Sequence, residues 1–438
     1  MMMHTLLAMR RVLESLTPEQ AIDAVLRDNI HGLELDQRCV ELAAFALAFA
    51  AWTYFNPDPA TTFGFGPGWA GWGQGTFASR AGYRPLPQLN IACSGLSVTA
   101  DKALWTGLAR PHTKLRNMLD VLYDTFRQAP TLGSLIDPAR QLADDMDWSE
   151  LAPLVQQGLQ NEEATVREES TVAAQGLARA ALLLGKQYEL VITNVPYLAR
   201  GKQGDALRDF CETHYPKAKN DLATVFLERC LNLCATGGTS CIVLPQNWLF
   251  LTSYKKFREK LLKKHVWHML ARLGAGAFAT ISGEVVKAVL LTMSRGSSTA
   301  HGGLMGEKPA IHHLRGLDVA EAPNVQEKAV ALKAEAVQSV EQAKQLENPD
   351  ARVALGGGSQ VNLFLKYATA YQGITTGDNP QYVLFFWELS KFAHRWSAFQ
   401  STGDKTCHYS GQCQIFLWES GQGYLASSNA ARIQGQAA

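Results

Sequence analysis

The pattern of apolar and polar positions divides the chain into short β-rich runs and helical stretches. Residues 17–28 predict a helix, with Thr17 as N-cap, Pro18 in the first turn and Glu19-Gln20 behind it. Asn29 ends that helix, and Ile30 to Asp36 reads as a short strand with acidic residues at its end. An alanine-rich helix follows over about 38–54. Its apolar run, Leu42 to Phe55, predicts a buried helix and is too short to span a bilayer. Residues 56–90 are rich in Gly, Pro and Trp and predict a surface loop. Residues 101–186 read as mostly helical, with a polar, solvated stretch at 156–171.

A second block is sharper. Tyr188 to Thr193 predicts a buried strand, and a helix runs from about Asp221 to Cys234, closed by a cap and turn at Gly237-Gly238. Further strands are expected at 240–244, 266–271 and 285–293, with a basic helix at 253–264. Strands alternating with helices predict an α/β fold with a mostly parallel, doubly wound sheet. Residues 296–309 read as a linker, 321–347 as helical, and 360–438 as the start of a separate module.

Composition narrows the function classes. The 438 residues are 47% hydrophobic and 18% charged, which excludes wholesale disorder. The net charge of +1 excludes a generically basic nucleic-acid coat, so any nucleic acid must be met by a local patch. No secretory signal is visible at the start. The eight cysteines form no CxxC pair and read as free thiols in a reducing cytoplasm. Cys407-His408 with Cys413 is the nearest thing to a ligand cluster, but the spacing is not that of zinc, and no metal is expected.

The chemistry concentrates at Val191-Ile192-Thr193-Asn194-Val195-Pro196-Tyr197. An apolar strand ending in Asn-x-Pro-aromatic resembles the (D/N/S)PP(Y/F/W) motif of amino methyltransferases that use S-adenosylmethionine. Taken alone, those four residues are as well explained by an ordinary strand-to-turn segment. The neighbours decide. Asn220-Asp221-Leu222 through Phe226, Glu228 and Arg229 resembles the helix that follows this motif in large N6-adenine DNA methyltransferases. Gly237 to Pro245 and Phe278 to Val286 resemble their next motifs, as do Leu132 to Ile136 and Gly373 to Asn379. The resemblance is to the adenine methyltransferases of BREX phage defence and Type IIG restriction–modification, and it runs in order from about residue 20 to 425.

That resemblance implies roles. Asn194 supplies a side-chain acceptor for the target amine, Val195 a backbone carbonyl, Pro196 the fixed turn and Tyr197 a stacking face, with Phe278 as second aromatic. Glu34, then Asp36, accepts from the cofactor ribose, and Asp221 is a further cofactor-binding residue. Glu34 is expected on a strand neighbouring the one that ends at Thr193; if the two strands belong to different sheets, the methyltransferase reading of residues 30–36 is wrong. Val195 departs from the family's proline, which weakens preorganisation without removing the carbonyl. The basic run at 254–265 reads first as a solvated helix face, with Lys255, Lys256 and Arg258 as DNA phosphate contacts in the functional alternative.

The implied fold is a Rossmann-like class I methyltransferase sheet with its first strand missing, a helical insertion, and the start of a C-terminal target-recognition module. The divisions expected are 1–55 and 187–295 for the two halves of the core, 56–186 for the insertion, 296–350 for linker and helix, and 351–438 for the module. The first, glycine-rich cofactor motif is absent; Gly64 to Gly75 and Gly356 to Gly358 are poor substitutes. The implied partners are S-adenosylmethionine, double-stranded DNA, and other defence subunits or a separately encoded N-terminal part. No membrane is implied, and the location is cytoplasmic. Two rivals stand beside this: a non-catalytic DNA- or partner-binding fragment, and a methyltransferase of a protein glutamine amide.

Overall fold

A computed structural model describes residues 2–54, 84–96, 102, 113–138, 168–278, 287–296, 312–355, 374–376, 378–391, 393–401, 411–427 and 432–433. The glycine-rich segments at 64–75 and 356–358, residues 156–167, the linker and Cys407-His408 lie outside these. The chain forms two compact units, Met1–Gly357 and Gly358–Ala438.

The first unit opens with α1 (Met2–Glu14) and α2 (Pro18–Ala24). Thr17 caps α2 through a reciprocal pair with Gln20, and the helix continues as one π-turn over Val25–Asn29. Then come β1 (His31–Glu34), α3 (Gln37–Trp52), β2 (Asn90–Cys93), α4 (Thr113–Phe126) and α5 (Glu168–Gly185). They lead to β3 (Tyr188–Asn194), α6 (Asp205–His214), α7 (Leu222–Leu233), β4 (Cys234–Pro245), α8 (Lys255–Lys264), β5 (His265–Gly274) and β6 (Ala288–Arg295). The unit ends with β7 (His313–Asp318), α9 (Val325–Ala334) and β8 (Gln338–Glu341).

Six strands make one sheet in the order β3-β4-β6-β5-β7-β8. It is mixed, not mostly parallel as expected. β3–β4 and β5–β7 are parallel, whereas β6 runs antiparallel to both β4 and β5, and β8 runs antiparallel to β7. The alternation of strands and helices leaves the direction of each strand open, because a strand's residues do not encode it, and β6 pairs antiparallel on both its sides. β1 and β2 pair parallel in a separate two-stranded sheet. β1 and β3 therefore do not share a sheet, against the expectation placed on Glu34.

Several local expectations are corrected. β3 is an edge strand, not a buried one; Leu190 is 50% and Ile192 59% exposed, because only β4 flanks it among the described residues. Helix α3 is amphipathic in the weak sense only, and Leu42, Phe45 and Phe49 are exposed where burial was expected. Gly237-Gly238 does not close α7. The chain turns extended at Cys234, and Gly237 at φ +82° sits where the β3–β4 register slips between Tyr188 and Leu190. A Cβ on Gly238 would come within 2.7 Å of the Tyr188 carbonyl, so glycine is needed there. Residues 321–347 are not one helix, since α9 stops at Ala334 and β8 pairs with β7.

The main core packs α7 and α8 against the large sheet around Trp248, Phe257 and Trp267, all fully buried. A smaller core joins α1 and α2 through Leu7, Ile22 and Leu26. The second unit holds a three-stranded antiparallel sheet of Val383–Phe385, Gln414–Leu417 and Trp396–Phe399, with the central strand between the other two. Ile374–Thr375 pairs with Arg432–Ile433 beside Asp378, whose side chain caps the turn at Asn379.

Candidate active site

Ligands of α/β sheets gather outside the carboxyl ends of the strands, so the ends of β1 and β3 are where a site is sought. β3 ends at Asn194, whose side chain is exposed and makes no hydrogen bond among the described residues. Val195 is buried in the main core and pins the turn from below. Pro196 is exposed and Tyr197 half-buried against the core, its hydroxyl without a partner among the described residues.

The turn is held from outside by the start of α7. The Arg200 amide donates to the Asn220 carbonyl at 3.0 Å, and the Leu222 amide to the Leu198 carbonyl at 3.0 Å. Asp221 is the N-cap of α7, accepting from the Ala223 amide at 2.9 Å. Burial raises its carboxyl pKa, against the amides of Ala223 and Leu198, which lower it. Burial likewise raises the Tyr197 phenol, helped by the nearby Asp221 charge. Tyr254, fully buried on the same side, has its phenol pushed up to about 12 by burial and then by Asp221. Nothing in the residues around Tyr254 singles it out beyond its place in the basic run.

Helix α7 also reaches the end of β1. Arg229, 2% exposed, donates to the carbonyls of Ser134 at 3.0 Å, Ile136 at 2.7 Å and Leu184 at 3.0 Å, and pairs with Asp137 at 3.2 Å. Ser134 hydrogen-bonds Ser94, which donates its amide to the Glu34 carbonyl at 2.7 Å. Gly133, at φ +49°, sits against Leu35. One helix thus ties the Leu132 to Ile136 turn, the end of β1 and the Asn194 turn into a single framework.

The acidic candidates differ. Glu34 is exposed at the end of β1, and one carboxylate oxygen accepts from the Leu35 amide at 2.7 Å, leaving the other uncommitted. Asp36 is committed elsewhere: it caps α3 by accepting from the Arg38 amide at 2.8 Å, and pairs with the Arg38 guanidinium at 3.2 Å. Asp221 is likewise a cap first. Phe278 follows β5 and is half-buried; residues 279–286 of its motif lie outside the described residues.

Among the basic candidates Arg258 is a correction. It is fully buried and donates to the carbonyls of Trp248, Leu251, Asp350 and Ala351, at 2.6 to 3.2 Å, so it is a structural strut with nothing left for a phosphate. Lys255 and Lys256 are exposed, and Lys255 lies 3.9 Å from Asp350. No group of three or more His, Cys, Asp or Glu side chains is set to hold a metal among the described residues. Nor is any described helix long and apolar enough to cross a membrane.

Comparison with known proteins identifies the family of the chain. The chain is 31% identical over 179 residues to the adenine-specific methyltransferase PglX of Lacticaseibacillus casei (strain Zhang), covering 41% of this chain and 15% of that protein. It is 28% identical over 287 residues to the adenine-specific methyltransferase BrxX of Escherichia coli O9:H4 (strain HS), covering 60% of this chain and 21% of that protein. The chain thus spans about a fifth or less of the curated relatives it matches. Likeness to solved structures is slighter: the Type ISP restriction-modification enzyme LlaGI in complex with a DNA substrate mimic aligns at a TM-score of 0.37 and 9% identity, over 77% of this chain and 25% of that one. Residues 28–278, more than half of the sequence and the span that contains both strand ends and α7, match the Eco57I restriction-modification methylase family, and the chain belongs to that family.

Proposed function

We propose that this chain carries the target-base half of a DNA adenine methyltransferase, acting on the N6 amine in restriction–modification or phage defence in the cytoplasm. The observation that carries the reading is the Asn194 to Tyr197 turn. Its amide side chain is free and exposed at a strand end, its backbone is held by α7, and it lies inside the family's span.

The exocyclic amine of adenine is a poor nucleophile, because its lone pair is delocalised into the ring. In this reading the Asn194 side-chain oxygen and the Val195 carbonyl each accept one of its N–H groups. That draws the nitrogen toward tetrahedral geometry and restores its lone pair. Burial of Val195 fixes the second acceptor before the base arrives, which is positioning plus electrostatic help. Tyr197 stacks on a base turned out of the duplex, with Phe278 as the second aromatic.

S-adenosylmethionine would supply the methyl group from its sulfonium. Of the acidic candidates Asp36 and Asp221 are committed as helix caps, Glu34 keeps one carboxylate oxygen uncommitted, and because β1 and β3 lie in separate sheets none of the three is assigned to the donor's ribose. Residues 358–438 would serve target recognition, and Lys255 and Lys256 would meet phosphates. The test is incubation of duplex DNA with isotopically labelled S-adenosylmethionine and mass spectrometry of the nucleosides. With the family's glycine-rich cofactor motif joined to this chain, the expected product is labelled N6-methyladenine, reduced about 10²–10³-fold in Asn194→Ala. Label on cytosine, or on a protein glutamine instead of DNA, would overturn the proposal.

A further inference from the structure

The chain that follows the Asn194 to Tyr197 turn is short, braced and positive. The Leu198 carbonyl accepts twice, from the Leu222 amide at 3.0 Å and from the Gln203 side-chain amide at 3.1 Å. A single tight turn follows over Arg200–Lys202, closed by the Lys202 amide donating to the Ala199 carbonyl at 2.8 Å. Arg200 and Lys202 thus stand three and five residues beyond Tyr197 on backbone that is fixed before any ligand arrives. A Cβ added to Gly201 or Gly204 would meet no atom within 4 Å, so the approach to this turn is open.

Its charges are not balanced. Residues 199–219 hold five Lys and Arg against three Asp and Glu, in a chain whose net charge is only +1. Asp205 is answered by Arg208 at 2.6 Å. The Glu212 carboxylate takes both Arg200 and Lys219 on one oxygen, the latter at 3.1 Å, so one negative charge faces two positive ones. The Nε of Arg200 is buried and has no partner among the described residues. Lys202 is exposed, and no carboxylate pairs with it among the described residues. The Glu212 pair alone would explain Arg200 as a strut, but it explains neither the unpaired N–H nor Lys202. A free ammonium and a free guanidinium N–H two residues apart are what an anion completes.

A base that leaves the stack turns about its own backbone, so the phosphates on either side of it stay at the mouth of the pocket. Arg200 and Lys202 are the first cations after Tyr197, at most about 11 and 18 Å along an extended chain. We propose, resting on the reading of Asn194 to Tyr197 as the target-base turn, that Arg200 and Lys202 clamp the phosphodiester adjoining the extruded nucleotide. The turn that stacks the base then also holds its backbone. Arg200 contributes a planar guanidinium and Lys202 a point charge. Phosphate contacts fix register and carry no sequence information, so the clamp serves any target sequence. Holding the nucleotide at base and phosphate together restricts the amine that Asn194 and Val195 receive.

The test is fluorescence anisotropy of the full chain with a duplex carrying one bulged adenine, whose base is already unpaired. A single neutral methylphosphonate replaces the phosphate on one side of that adenine, on the other side, or far from it. The parent should lose about fivefold or more in affinity at one flanking position and less than about twofold at the distant one. Lys202→Ala should bind the unmodified duplex about fivefold more weakly, with a salt slope lower by about one, and the flanking methylphosphonate should then cost it less than about twofold. Arg200→Ala should behave likewise, and Lys202→Ala, at an exposed and unpaired position, should keep the parent's urea midpoint. The proposal is overturned if the flanking methylphosphonate costs parent and Lys202→Ala the same, if it costs the parent nothing, or if the chain does not bind the duplex. Tyr197→Ala on the same duplex separates this from the base reading. Unchanged affinity there with the phosphate coupling intact would sink the stacking and leave the clamp, whereas weakened affinity with no coupling would sink the clamp and leave the stacking.

Discussion

Replacing Arg229 with alanine should cost the first unit about 4 kcal/mol of stability. The guanidinium is buried and satisfies three carbonyls on two separate segments, and it offsets the Asp137 carboxylate, which is 17% exposed. Hydrogen bonds to a charged donor contribute about 1.5–3 kcal/mol each, but the three share one group and do not add. Removing one partner of a buried pair costs about 3–5 kcal/mol, since the other charge is left behind. Arg229→Lys keeps the charge but has one ammonium in place of a planar fork, and should lose about 2 kcal/mol. The assay is urea unfolding followed by tryptophan emission, because Trp248 and Trp267 lie in the same core. A loss below about 1 kcal/mol for alanine would refute the view that α7 ties the two strand ends together through this side chain.

Other expectations separate chemistry from structure. Asn194→Ala should leave unfolding unchanged and lower methyl transfer about 10²–10³-fold, the usual cost of one preorganised hydrogen-bonding group. Val195→Pro, measured in the same turnover assay, should be equal or faster; a severe loss would withdraw the roles given to residues 194–197. Arg258→Ala should lower the urea midpoint with the DNA salt slope unchanged, whereas Lys256→Ala should lower that slope by about one in a filter-binding titration and leave the midpoint alone. His265, half-buried, has its pKa lowered from 6.5 to about 4, first by loss of solvent and then by neighbouring cations. It folds neutral while the unfolded chain protonates near 6.5. Its contribution is therefore complete above pH 6.5 and is lost as pH falls toward 4. Urea midpoints at pH 7 and 5 should differ less in His265→Gln than in the parent.

The local signals were legible: the Thr17 cap is written in a few residues and the end of β3 in the Asn194 to Tyr197 turn, whereas Asp221, expected as a cofactor residue, is a helix cap. What the sequence hid depends on neighbours. The apolar run of β3 reads as interior whether or not a second strand flanks it, and its exposure appears only in the sheet order. Antiparallel β6 was missed because a strand's residues do not encode its direction. Arg258 sits in a run of cations that looks solvated, yet its guanidinium turns inward to four carbonyls. The family resemblance included Arg229 by position, but only the packing shows what it holds.

The central claim is that a base leaves its duplex and stacks on Tyr197 beside Asn194. The most direct measurement is the emission of 2-aminopurine placed at the target adenine of duplex DNA, titrated with the chain. The base is quenched in the stack and its emission changes sharply when it is extruded. The account predicts a protein-dependent rise with Asn194→Ala, since stacking remains, and a loss of binding to that state of about 1–3 kcal/mol with Tyr197→Ala. DNA binding with no change in emission at any position, or a rise that Tyr197→Ala leaves intact, would contradict it.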